Sequence, residues 1–112
     1  MKPEELEALD LLRQEFKLEF AADPDLNQII EQLADQVAYY LEHKPDLLFS
    51  YFYRMDIDEQ DVAHVLNFPQ EEPVNILLAK MIFYRQVARA QTKLHYRQSP
   101  IEWDFQDDPY SS

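Results

Sequence analysis

Residues 54–61 read RMDIDEQD, which places Asp56, Asp58, Glu59 and Asp61 within six positions, directly behind the aromatic-rich run LLFSYFY. Four carboxylates this close have the composition of a calcium loop or of an acid and base pair. An EF-hand loop needs oxygen ligands at its first, third and fifth positions, glycine at the sixth and a bidentate glutamate at the twelfth. Counted from Asp56, the fifth position is Gln60, the sixth is Asp61 and the twelfth is Asn67, so both decisive residues are missing. The same acids suit the start of a helix. Asp56 can serve as N-cap, Glu59 follows three residues later as in a capping box, and the remaining acids face the positive end of the helix dipole. Contributions of this kind are worth about 0.5–1 kcal/mol each. The expectation is a capped helix over about 57–66, with Arg54 pairing with one of its acids.

The histidines are His43, His64 and His95. Asp61 and His64 stand three apart and share a helical face, a spacing that suits two metal ligands or an oriented base. Two groups do not complete a site. The paired Glu-x-x-His motifs of di-iron bundles and the His-Glu-x-x-His motif of zinc proteases are both absent. The chain contains no cysteine, which removes disulfides, thiolate metal ligands and a cysteine nucleophile. It contains no glycine either, which removes phosphate-binding loops, dinucleotide fingerprints and nucleophile elbows. No catalytic, cofactor-binding or metal-binding residue is assigned, and the expected role is non-catalytic.

The elements that would carry these residues follow from the same counts. Without glycine for positive-φ corners, a many-stranded β domain is hard to build. At 112 residues with 46% apolar content, the chain has material for one core in one domain. Its seven prolines fit helix starts and corners. Apolar spacing predicts a first helix over 4–21, with Leu9, Leu12, Phe16 and Phe20 on one face. A second is expected over 24–43, capped by Asp23, with a seam of Leu26, Ile30, Leu33, Val37 and Tyr40. Residues 45–54 are read as a short helix, although their aromatics would also suit a strand. The last helix is expected over 73–98 and is apolar on two faces, Leu77 and Leu78 on one side and Phe83 and Val87 on the other, which makes it central or interfacial. Proline-led starts at 3, 24 and 45 are evenly spaced, but the matching stops after a few positions, as shared helix grammar would produce.

Charge is segregated along the chain. The first 73 residues hold eighteen acids against five bases, whereas residues 74–99 hold no acid and five bases. Arg85, Arg89, Lys93 and Arg97 recur every four residues and form one basic stripe. The plainer account of the stripe is pairing with the protein's own acids; the functional alternative is a patch for RNA or an acidic partner. A net charge of −12 opposes nucleic acid at long range. The two short helices around residue 55 have helix-turn-helix proportions, but the second presents carboxylates where phosphate contacts belong. An acidic exterior also raises the alternative of a nucleic-acid mimic or inhibitor of a basic target. In the tail, Trp103 and Phe105 alternate with acids, a pattern that serves equally to cover the protein's own core or to dock in a partner.

Together these features predict an all-α fold: a compact bundle of four to five helices over 1–99 with a long, centrally packed C-terminal helix, followed by a short extended tail at 100–112. The expected function is protein–protein interaction, as an adaptor, regulator or assembly subunit, with self-association as one form of it. The partner-binding candidates are Arg85, Arg89, Lys93, Arg97, Tyr51, Tyr53, Trp103 and Phe105. No cofactor, small-molecule substrate or membrane contact is expected. The acid-rich start lacks the basic and then apolar pattern of a signal peptide, which points to the cytoplasm.

Overall fold

A helix with apolar residues on opposite sides has to be covered on both, and this requirement organises the molecule. The computed structural model describes residues 1–20 and 23–98, the side chains of residues 97 and 98 excepted. Among the described residues there are five helices and no strand: α1 (Pro3–Arg13), α2 (Leu26–His43), α3 (Pro45–Arg54), α4 (Glu59–Asn67) and α5 (Val74–Gln98). The expected all-α bundle with a long, central last helix is what forms. α5 packs against α1, α2 and α4, while α3 packs against α2. From α5, Leu78, Ile82 and Phe83 are fully buried against Leu12 of α1 and Ile29, Leu33 and Val37 of α2. Burial of each large side chain contributes about 1.5–3 kcal/mol, so this junction is a main source of the apolar driving force. The proposed tail, 100–112, lies outside the described residues.

The chain departs from expectation where α1 ends. The predicted helix over 4–21 stops at Arg13, turns through residues 14–16 and continues without helix over 17–20. Phe16 and Leu18 enter the core while Lys17 and Glu19 stay exposed. The Phe16 ring meets Tyr51 and Tyr40 edge-on, at 5.1 and 6.3 Å between centroids. Two glutamines of α2 take up the backbone of this segment. The N–H of Lys17 donates to Gln36 Oε1 at 2.9 Å, and Gln36 Nε2 donates back to the Lys17 carbonyl. Glu19 N–H donates to Gln32 Oε1 at 2.9 Å, and Gln32 Nε2 returns a bond of 2.6 Å to the Glu19 carbonyl. Two residues of extended chain advance about 6.6 Å and one turn of helix about 5.4 Å, so glutamines four apart can serve alternate residues of a strand-like segment.

The caps are also displaced from their predicted positions. Asp25, not Asp23, caps α2: its carboxylate accepts the Gln28 N–H at 2.8 Å, and its own N–H donates to Gln28 Oε1 at 2.9 Å. α3 covers the predicted 45–54, so its aromatics serve a helix. α4 starts two residues later than expected, with Asp58 as N-cap accepting the Gln60 N–H at 2.8 Å. Asp56 does a different job. It is the single non-glycine residue at positive φ (62°) among the described residues, placed just past the C-cap of α3. Its N–H donates to the Tyr53 carbonyl at 3.1 Å and that of Ile57 to the Phe52 carbonyl at 3.0 Å. That pair of bonds is a Schellman closure, and the burial of Ile57 and Phe52 supplies the apolar contact that accompanies it.

Candidate functional site

The last turn of α3 exposes carbonyls that need donors, and α5 supplies them. Arg85 Nε donates to the Met55 carbonyl at 2.8 Å, placing a cation at the negative end of the α3 dipole. Its guanidinium also approaches the Asp56 carboxylate, at 4.0 Å. Next to it on α5, Gln86 is 1% exposed, so its amide must be satisfied inside. Its Nε2 donates to the Tyr51 hydroxyl at 3.0 Å and to Met55 Sδ at 3.2 Å. Arg89 Nη1 approaches the same sulfur and, at 3.4 Å, Gln86 Oε1. Burial pushes the Tyr51 phenol above its usual pKa, against the opposing pull of the Gln86 hydrogen bond. This network fastens the end of α3 to the middle of α5.

Fastened there, α3 leans on α2 while α4 leans on α5. Between α3 and α4 lies an open groove of about 390 Å³. One wall comes from α3, with Phe49, Phe52 and Tyr53; the buried Ile57, between the two helices in sequence, also lines the groove. The other wall is the stripe Glu59, Val62, Ala63, Leu66 and Asn67, whose spacing keeps one face of α4 toward the groove. Phe49 is 40% exposed, Leu66 38% and Tyr53 80%, so apolar side chains stand in water at the rim. The groove continues into a second concavity of about 530 Å³ that shares Tyr53, Ile57 and Glu59 with it and adds Asp56, Asp58 and Gln60. An apolar trough thus opens at one end onto carboxylates.

The predicted partner-binding residues separate in this arrangement. Tyr53 lines the groove and projects outward. Tyr51 is 3% exposed, its ring and hydroxyl used inside the core, so the aromatic pair does not act as one surface. Arg85 and Arg89 meet Met55 at the end of α3, and Lys93 Nζ meets Glu7 of α1 at 2.6 Å. Arg97 closes the run on α5, but its side chain, with Trp103 and Phe105, lies outside the described residues. Arg54 pairs with Glu15 at 3.4 Å instead of with the acids that follow it, and stacks over the Tyr51 ring at 5.6 Å. Asp61 and His64 are both exposed, and the imidazole stacks on Phe68 at 4.9 Å between centroids. Neither lines any of the concavities described above. Among the described residues, no three His, Asp or Glu side chains converge as metal ligands would, and no helix is long and apolar enough to cross a membrane.

Sequence reasoning overlooked Leu66 and the part played by Ile57. The positions 59, 62, 63, 66 and 67 do carry a helical stripe, but Val62 and Val65 alone account for the burial α4 needs, which leaves Leu66 as the surplus apolar residue that marked the site. No protein family, no curated protein and no solved structure matches this chain.

Proposed function

We propose that this protein is a small, non-catalytic protein–protein interaction module, acting as an adaptor, regulator or assembly subunit, and that the groove between α3 and α4 receives an apolar segment of a partner protein. The observation that carries this reading is the groove itself: Phe49, Tyr53 and Leu66 face water around a trough whose floor, Phe52, Ile57 and Val62, is continuous with the core. Anchors seated in such a trough displace water from both surfaces, the usual source of affinity at the centre of an interface. An RNA-contacting role for α5 would first have to break the contacts of Arg85, Arg89 and Lys93, which sets it behind this reading.

The test is comparative affinity capture from the source cells using wild type, Leu66→Glu, and Leu6→Glu as a control on the exposed side of α1. A stoichiometric partner held by wild type and by the α1 variant, and lost with Leu66→Glu, is the expected result. A partner retained equally by all three would place recognition elsewhere. Circular dichroism of each variant separates loss of binding from loss of fold.

A further inference from the structure

The groove selects its occupant by charge as well as by shape, and this inference rests on the interaction reading above. Its apolar walls are bordered on the α4 side by Glu59, and the adjoining concavity by Asp56, Asp58 and Glu59. Asp58 is engaged as an N-cap, and Asp56 touches Arg85 only at 4.0 Å while its side chain stays 91% exposed. Glu59 has no ion-pair partner among the described residues. The groove therefore has an apolar interior and an acidic mouth in which Glu59 is unpaired and Asp56 only loosely engaged.

Three occupants have the apolar content to fill it: the chain's own residues 99–112, a second copy of the protein, and another protein. Residues 99–112 bring Trp103 and Phe105 but also four acids and no base. A second copy brings a net charge of −12 toward a surface of the same sign. Both set carboxylate against carboxylate within a Debye length, about 8 Å at physiological salt. A partner segment with lysines or arginines beside its apolar residues meets neither obstacle. The α4 wall extends over nine residues, Glu59 to Asn67, or about 13 Å of helix, which matches two turns of a helical ligand and so anchors at i, i+3 or i+4, and i+7. We infer that the α3–α4 groove binds a short amphipathic helix from another protein, its apolar stripe between Phe49, Tyr53 and Leu66 and its basic residues over Asp56 and Glu59.

The experiment uses the full chain, isotope-labelled for amide NMR, and two synthetic helix-forming peptides. One carries leucines at i, i+3, i+4 and i+7 with lysines on its other face, and the second replaces every lysine by glutamate. The lysine peptide is expected to shift the amides of Phe49, Tyr53, Ile57, Val62 and Leu66 first, and to bind at least about ten-fold more tightly than its glutamate twin at low salt. Leu66→Glu should abolish those shifts. The variant Glu59→Lys, with its fold checked by circular dichroism, should narrow the preference between the two peptides. Equal binding of both peptides in the groove would overturn the inference on charge and leave the interaction reading standing. Lysine-peptide shifts spread over the acidic faces of α1 and α2, with the groove silent, would overturn the inference as non-specific cation binding. Self-association that fills the groove at rising protein concentration would replace the foreign helix with a second copy.

Discussion

Asp56 shows how a chain without glycine closes a helix. A Schellman closure needs a left-handed residue just past the C-cap, a conformation that burdens any residue with a Cβ. Aspartate is among the few side chains that tolerate it, and here it faces Arg85 as well. Asp56→Gly is expected to raise stability by about 0.5 kcal/mol, because relief at positive φ exceeds the weak exposed ion pair it removes. Asp56→Val should lower it by more than about 1 kcal/mol. Urea midpoints at unchanged m-value measure both, and a glycine variant no more stable than wild type would refute the strain argument. The cluster RMDIDEQD was legible as helix-terminus chemistry and not as metal chemistry. Which acid does which job was not legible, because the start of α4 and the end of α3 share those residues and only the Phe52 to Ile57 contact sets the division. Gln86 is a similar case: nothing in its spacing announces a buried amide, whose partners lie 31 and 35 residues away at Met55 and Tyr51.

At the scale of elements, the segment over 14–20 teaches the most. Its apolar residues Phe16, Leu18 and Phe20 alternate with Lys17 and Glu19, the period of an extended chain. Phe16 and Phe20 also continue the i, i+4 series from Leu12, and the helical pattern is the one that intuition favours in a glycine-free sequence. The structure follows the alternation, since Gln32 and Gln36 satisfy the backbone that a helix would otherwise have satisfied internally. Replacing both glutamines by alanine should expose the Lys17 and Glu19 amides, and cost about 1–3 kcal/mol in all. Amide hydrogen exchange is the appropriate measurement. Faster exchange confined to residues 17–19 and their neighbours is expected, and unchanged protection there would show that the glutamines are incidental. α3 and α5 were legible almost to the residue and α2 to within two residues at its start, because a proline near each start and a run of apolar residues mark the same segments. The groove was legible only in part: the aromatic run of α3 was visible, but an angle between two short helices is set by what each leans on, and that information lies in α2 and α5.

For the whole molecule, the governing fact is that the acids and the bases come from different parts of one chain. Most cations of α5 are met by the rest of the fold, Lys80 by Glu72 at 2.9 Å, Arg85 by Met55 and Asp56, and Lys93 by Glu7. Exposed pairs of this type contribute about 0–1 kcal/mol each, so they orient α5 more than they stabilise it. Most of the acids remain outside, and the protein meets its surroundings as an anion. The segregation was plain in the sequence, whereas the contacts that absorb the basic stripe depend on how α1 and α3 cross α5, which no local pattern encodes.

The central place of α5 also bears on how the protein is made. Synthesis proceeds from the N-terminus, and domains that can fold early do so while attached to the ribosome. Here α1, α2 and α4 each turn an apolar face toward a helix that is translated after all of them. Until residues 74–98 have emerged, those faces have no surface to meet, and the end of α3 lacks Arg85 and Gln86. A chain ending at residue 73 is therefore expected to lack cooperative unfolding and to expose apolar surface to a dye such as ANS; a sharp thermal transition in that fragment would disprove this. The fold is then completed in one late step, when α5 arrives, and the apolar faces of α1, α2 and α4 stay uncovered until it does.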